Sequence, residues 1–308
     1  MKIIPVDCNY VEVEFATAYL LVENGKGFFI ECNTNYAIPH LMEAARMEGL
    51  SPEQIEGLII THVHLDHAGG AGLFLKECPN AKLYAHPRAA RHAVDPSKLI
   101  ASATEVYGPE FMAKLYGEIL PCPADRVVVL EEGDGVAFQG CILKTHHTRG
   151  HANHHLVVIE PTTQTLFSGD SFGVSYPKIN SKHGLVIIPS TSPTDFDGMA
   201  ALETIDWISS QDLKQVALTH YGFIPQEQIP EAAQQLRDQL QFSIELMGRI
   251  QKLSMDVDSV TQHILDWNLH YFGSRNVRLD AEDLKLLQID FKVNAQGLVF
   301  AANRLLKK

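Results

Sequence analysis

No apolar run in this chain approaches the roughly 18 residues that a membrane-spanning helix needs. Its first residues, MKIIPVDCNYVEVEF, carry neither an apolar leader core nor a small-residue cleavage site, so the expectation is a cytoplasmic protein with no membrane partner. Cysteine is scarce. Cys8, Cys32, Cys78, Cys122 and Cys141 are odd in number, widely scattered and without a Cys-x-x-Cys pair, which argues against a disulfide framework or a thiolate zinc knuckle. Basic charge is also in deficit, with 25 Lys and Arg against 37 Asp and Glu. A net charge of −12 repels polyanions, and nucleic acid is not expected as a partner. Internal repeats, low-complexity tracts and flexible linkers are absent from the sequence as well.

What is present is enough apolar residue, 45% of 308, to bury a sizeable core. The first two hundred or so residues alternate strand-like runs (VEVEFATAYLLV, 11 to 22; GFFIEC, 27 to 32; EGLIIT, 56 to 61; AKLYAH, 81 to 86) with helical ones such as IPHLMEAARMEG, 38 to 49. Strands then return quickly at RVVVL, CILKTHHT, HLVVIE and TLFSGD, separated by Gly, Pro and Asp turns. A largely helical insert fills about 87 to 125 and is too long for a plain connection. From Pro225 the spacing turns helical throughout, with Asp280 as a cap. The expected division is therefore an α/β domain over 1–224 and a helical extension over 225–308, with apolar surface enough to pack on its own domain or to form a homodimer.

The densest chemistry lies in THVHLDHAGG, residues 61 to 70. In an extended segment side chains two apart point the same way, so His62 and His64, leaving the strand GLII, can face one ion. A turn into helix at Asp66 sends Asp66 and His67 toward a second point beside it. One histidine alone is usually a packed or surface residue. Four ligand-type side chains within six positions are not explained that way. Three further ligand types follow strand-like runs and sit beside glycine: His151 in TRGHANHH, Asp170 in LFSGDSFG and His220 in VALTHYG.

THVHLDH, GH, SGD and THYG in this order resemble the metallo-β-lactamase superfamily of metallohydrolases over about residues 1 to 225. The resemblance implies a four-layer αβ/βα sandwich, two mixed sheets between layers of helices, with the site at one edge of the sheets. It implies that His62, His64 and His151 hold one metal, that Asp66, His67 and His220 hold a second, and that Asp170 bridges them. Two Zn²⁺ ions so held, about 3.5–4 Å apart, would give a metal-bound hydroxide near neutral pH, with Asp66 also orienting it and passing a proton to the leaving group. Many members carry IDTG where this chain has IECN, which makes Glu31 a candidate support for a histidine ligand.

The implied reaction is hydrolysis of a carboxylic ester, lactone or thioester of a small organic substrate, in the lactonase or glyoxalase II-like branch. Lactonases typically have Tyr three residues after the bridging Asp; here that position is Gly173, leaving Tyr176 or Tyr221 to reach the substrate, with His154 as another candidate contact. Tyr107, Phe111 and Tyr116 in the insert are core by default and candidates for an acyl wall. Two alternatives stay open, a mononuclear iron enzyme similar to persulfide dioxygenases and a metal-stabilised binding module, and Fe²⁺ or Mn²⁺ stay open as metals in place of zinc.

Overall fold

The computed structural model describes residues 1–191 and 195–305; the side chains of Val106, Tyr107 and Leu305 lie outside what is described. Twelve strands and eleven α-helices are found among these residues. In chain order they are β1 Lys2–Asp7, β2 Thr17–Glu23, β3 Lys26–Ile30, α1 Ile38–Met47, β4 Ile55–Ile59, α2 Leu65–Ala68, α3 Ala71–Glu77, β5 Lys82–Ala85, α4 Pro87–Val94, α5 Ser97–Tyr107, α6 Pro109–Tyr116 and β6 Val127–Val129. There follow β7 Gly135–Phe138, β8 Cys141–Thr148, β9 His155–Glu160, β10 Thr165–Gly169, α7 Pro177–His183, α8 Gly198–Ser210, β11 Gln215–Leu218, β12 Gly222–Pro225, α9 Ile229–Leu253, α10 Val257–Ser274 and α11 Ala281–Leu305. The class is α/β, with two mixed sheets, helices and a helical C-terminal region.

Contacts divide the chain into two compact units. The first comprises Met1–His147, His154–Gly169 and Asp212–Phe223. It holds one sheet in the order β1-β2-β3-β4-β5-β6 and a second running β12-β11-β10-β9-β8-β7, whose β12 leads out of the unit. The period of two along each strand assigns side chains to opposite faces. Tyr19, Leu21, Phe28, Ile30 and Ile59 meet Phe138, Leu156, Val158 and Phe167 of the other sheet in one core. Alternating with them, Leu20, Phe29, Leu58 and Ile60 enter a second core with Leu41 of α1, Phe74 of α3 and Ala89 of α4. A sheet covered on both faces needs near-continuous apolar strands, which is why β2 to β4 read as TAYLLVE, KGFFI and IEGLI. Each such Phe or Leu contributes about 1.5–3 kcal/mol by leaving water.

Residues 11–16, read as strand, are loop instead, and β2 starts at Thr17. The Asp7 carboxylate accepts the backbone N–H groups of Asn9 and Glu14, each at 2.9 Å, and Asn9, Val11 and Glu14 all have positive φ. That local bonding turns the chain back before pairing can begin.

The second unit comprises Thr148–Asn153, Asp170–Gln211 and the chain from Ile224 on. Its long helix α9 buries Ala232, Leu236, Leu240, Met247 and Ile250, and on an adjacent line the polar Gln235, Gln239 and Ser243. Asp280 caps α11 as the sequence indicates: its Oδ1 accepts from Glu282 and Asp283 N–H at 2.9 and 3.0 Å. No helix of the described residues is long and apolar enough to cross a membrane.

Candidate metal centre

In the first unit, β4 ends at Ile59, the chain bends at Thr61 and His62, and extended backbone at His64 (φ −60°, ψ 148°) leads into α2. The His64 carbonyl accepts from His67 N and Ala68 N, so the chain coils at once and throws Asp66 and His67 to the side of His62 and His64. The segment after β3 clamps this turn. Cys32 N and Asn33 N donate to the His67 carbonyl, Asn33 Nδ2 donates to the Asp66 carbonyl at 2.7 Å, and Gly70 N returns a bond to the Asn33 carbonyl.

Two groups of donors result, the ligand atoms of each within 4.8 Å of one another: Asp66, His67 and His220 form one, and Glu31, His62 and His67 the other. Their tautomers are set by hydrogen bonds. His220 donates Nδ1–H to the Phe15 carbonyl at 2.9 Å, and His67 donates Nδ1–H to Glu31 Oε1 at 3.3 Å. Each ring therefore presents a lone pair at Nε2, and these atoms lie 3.6 Å (His220) and 3.9 Å (His67) from Asp66 Oδ2. His62 Nε2 and His64 Nδ1 face each other at 2.9 Å, close enough for one ion to reach both. The buried His67 and His220 imidazoles, held from behind, with the half-buried Asp66 carboxylate are a donor set suited to zinc and its neighbours among the divalent metals.

Glu31 anchors the arrangement. It is buried, with φ +68°, and its Oε1 also accepts from Thr61 N at 3.3 Å and from the Thr61 hydroxyl, which lies 3.1 Å from His62 Nδ1. Sequence reading singled out Glu31 but assigned no part to Thr61, Asn33 or the Phe15 carbonyl. The threonine stood in the motif THVHLDH; nothing in sequence marks a backbone oxygen.

The other two proposed ligands belong to the second unit. There His151 Nε2 and Asp170 Oδ2 are 3.6 Å apart, and the His151 Nδ1–H donates to the Ser190 carbonyl at 3.1 Å, which fixes the ring with Nε2 toward Asp170. Glycine precedes both for steric reasons. At Gly150 (φ +111°) a Cβ would lie 2.4 Å from Ala201 N, and at Gly169 (φ +51°), in the first unit, 2.4 Å from Thr61 Oγ1.

Among the candidate substrate contacts, His154 lies edge-on to His64 at 5.3 Å and parallel to His62 at 6.0 Å. Tyr221 is half-buried, its hydroxyl pushed up to about 12 by burial and by Asp7. Tyr176 is buried in the second unit, its hydroxyl donating to Asp290 of α11 at 3.0 Å. His146 and His147 are engaged at Glu132 and the Leu130 carbonyl, and His86, 4.2 Å from the His147 ring, is held down to about 4 by burial and by that neighbour. The five cysteines are free, and burial raises the Cys8, Cys32, Cys78 and Cys122 thiols.

The fold has solved counterparts. An archaeal metallo-beta-lactamase superfamily protein from Sulfolobus tokodaii is 22% identical with a TM-score of 0.66, over 96% of this chain and 97% of that one. A metallo-beta-lactamase family protein from Thermus thermophilus is 18% identical with a TM-score of 0.65, over 99% and 93%. A subclass B3 metallo-beta-lactamase isolated from a soil metagenome library is 16% identical with a TM-score of 0.53, over 78% and 94%. The model of the metallo-beta-lactamase superfamily matches residues 11–217, which contain every one of the histidine and aspartate motifs except the His220 that closes them. With that span, two mixed sheets and donors gathered at the strand ends, the chain belongs to the metallo-beta-lactamase superfamily, whose members are generally metal-dependent hydrolases.

Proposed function

We propose that the chain is a dinuclear zinc hydrolase that opens a carboxylic ester, lactone or thioester of a small organic substrate. The observation that carries this reading is the pair of Nε2 atoms of His67 and His220 directed at the Asp66 carboxylate, each ring locked from behind by Glu31 or the Phe15 carbonyl. His151 and Asp170 join the ligand set on the order of the GH and SGD motifs, and the Nδ1–H bond to Ser190 prepares His151 in the same way. When bound, a pair of such ions supplies a water acidified to a pKa of about 7 and polarises a carbonyl.

The protein's own groups do the remainder. The buried rings need no reorganisation to bind, because their protons already sit on the outward nitrogens. Asp66 is half-buried and the most accessible member of its group, at 28%, so its carboxylate can hold a proton near the substrate and release it to a leaving alkoxide or thiolate. The likeness to a B3 β-lactamase supports hydrolysis as the reaction type.

The test is the full chain loaded with zinc and assayed against esters, lactones, thioesters and phosphodiesters, with metal content measured in parallel. Two zinc ions per chain and chelator-sensitive turnover of a carboxyl substrate are expected. One iron with persulfide consumption, or a folded chain that takes up no metal, would overturn the reading.

A further inference from the structure

The last helix, α11, carries a buried asparagine, Asn294, that makes no use of its helix's surface. Its Nδ2 donates to the Pro189 carbonyl at 2.8 Å, while its Oδ1 accepts from Thr191 N at 2.8 Å and from the Thr191 hydroxyl at 3.2 Å. The Thr191 hydroxyl also lies 2.9 Å from the Asn294 carbonyl. One side chain thus grips the residue before and the residue after Ser190. Upstream, α9 holds the same segment: Gln235 donates to the Leu185 carbonyl and accepts from Ile187 N, and Gln239 donates to the Ile187 carbonyl at 2.7 Å. The segment has only an isolated bridge, Val174 to Ile188, for strand pairing, so helix amides replace the ladder it lacks.

Ser190 is the residue so fixed, and both of its polar groups point at proposed ligands. Its carbonyl accepts from His151 Nδ1 at 3.1 Å and its hydroxyl donates to Asp170 Oδ2 at 3.0 Å. We infer that Asn294 of α11 is a positioning residue for His151 and Asp170, acting through Ser190, so that the C-terminal helices set the aim of two metal ligands. This rests on the reading of His151 and Asp170 as ligands in the function proposed above. All the groups involved lie in the second unit. An amide is suited to the task because its NH₂ donates to one peptide while its oxygen accepts from another on one short planar group.

The experiment compares the full chain with Asn294→Ala, Asn294→Asp, Ser190→Ala and His151→Ala. Zinc affinity is read by competition with a chromophoric chelator, and ligand geometry by the absorption spectrum of the cobalt(II)-substituted protein. Asn294→Ala is expected to weaken zinc binding by about 10-fold or more, the range for losing a group that orients a metal ligand, and to shift the cobalt bands. Asn294→Asp, which keeps the acceptor for Thr191, is expected to fall between it and the parent and remains informative if the alanine variant does not fold. Ser190→Ala is expected to shift the cobalt bands through Asp170 alone. Variants that lose thermal stability but keep zinc affinity and the cobalt spectrum would show a merely structural role and overturn the inference. Unchanged zinc binding in His151→Ala would overturn it together with the ligand assignment, whereas loss in His151→Ala with none in Asn294→Ala would sink the positioning role alone.

Discussion

Replacing Glu31 by glutamine keeps the shape of the side chain and removes its charge. In the structure Glu31 Oε1 accepts from Thr61 N, from the Thr61 hydroxyl and from His67 Nδ1, while Oε2 is buried without a hydrogen-bond partner among the described atoms. Bonds to a charged acceptor contribute about 1.5–3 kcal/mol against about 0.5–1.5 for neutral ones, so the bonds from the Thr61 hydroxyl and from His67 each weaken by roughly 1 kcal/mol. The new amide nitrogen, placed where Oε2 was, adds a buried donor with no acceptor at about 1–3 kcal/mol. Metal-free Glu31→Gln should therefore unfold at lower urea, with a loss of about 3–5 kcal/mol. The His67 ring also becomes less basic and less firmly aimed, which predicts a fall in zinc affinity of about 10- to 100-fold. Chelator competition and urea titration read the two effects separately. Zinc affinity within about threefold of the parent would refute the claim that Glu31 aims His67. Loss of a whole equivalent of metal would instead make Glu31 a ligand, since its atoms lie in one group with His62 and His67.

Asp66→Asn should retain part of its metal yet lose most turnover, because in the proposed reaction the carboxylate both ligates and carries a proton; a rate within about threefold of the parent would refute the second role. His86, held at about 4 against an ordinary value near 6.5, stays neutral in the folded chain while the unfolded chain takes up a proton. Stability is therefore lost as pH falls from about 6.5 to 4, by up to about 3 kcal/mol, and His86→Asn, which keeps an acceptor for Arg88 N–H, should flatten that part of the stability profile. A profile of unchanged slope would show that His86 is protonated in the fold. Gly169→Ala forces a Cβ to 2.4 Å from Thr61 Oγ1 at positive φ and should cost more than the roughly 1–2 kcal/mol of the left-handed conformation alone, whereas Gly25→Ala, with nothing within 4 Å, should cost only that much; equal losses on urea unfolding would refute the clash.

The sequence by itself determined what is local or periodic. The run from His62 to His67 is legible because a strand end and the first helical turn place those four side chains by fixed geometry, whatever surrounds them. The apolar strands β2 to β4 announce a sheet buried on both faces, and Asp280 announces a helix start. Only tertiary structure decided the rest. His220 finds its tautomer on the Phe15 carbonyl, 205 positions away, because Thr17 N bonds the Thr219 carbonyl and brings the start of β2 beside the end of β11. Tyr176, marked in sequence for its nearness to Asp170, reaches Asp290 of α11 because burial in the second unit turns its hydroxyl there. Asn294 belongs to no motif, and an asparagine inside a helix carries no sign of what it will hold. Spacing along the chain fixes direction over a few residues; which distant peptide meets a given side chain depends on strand pairing and helix packing, where hydrogen-bond partners are chosen only after the apolar cores have set the backbones in place.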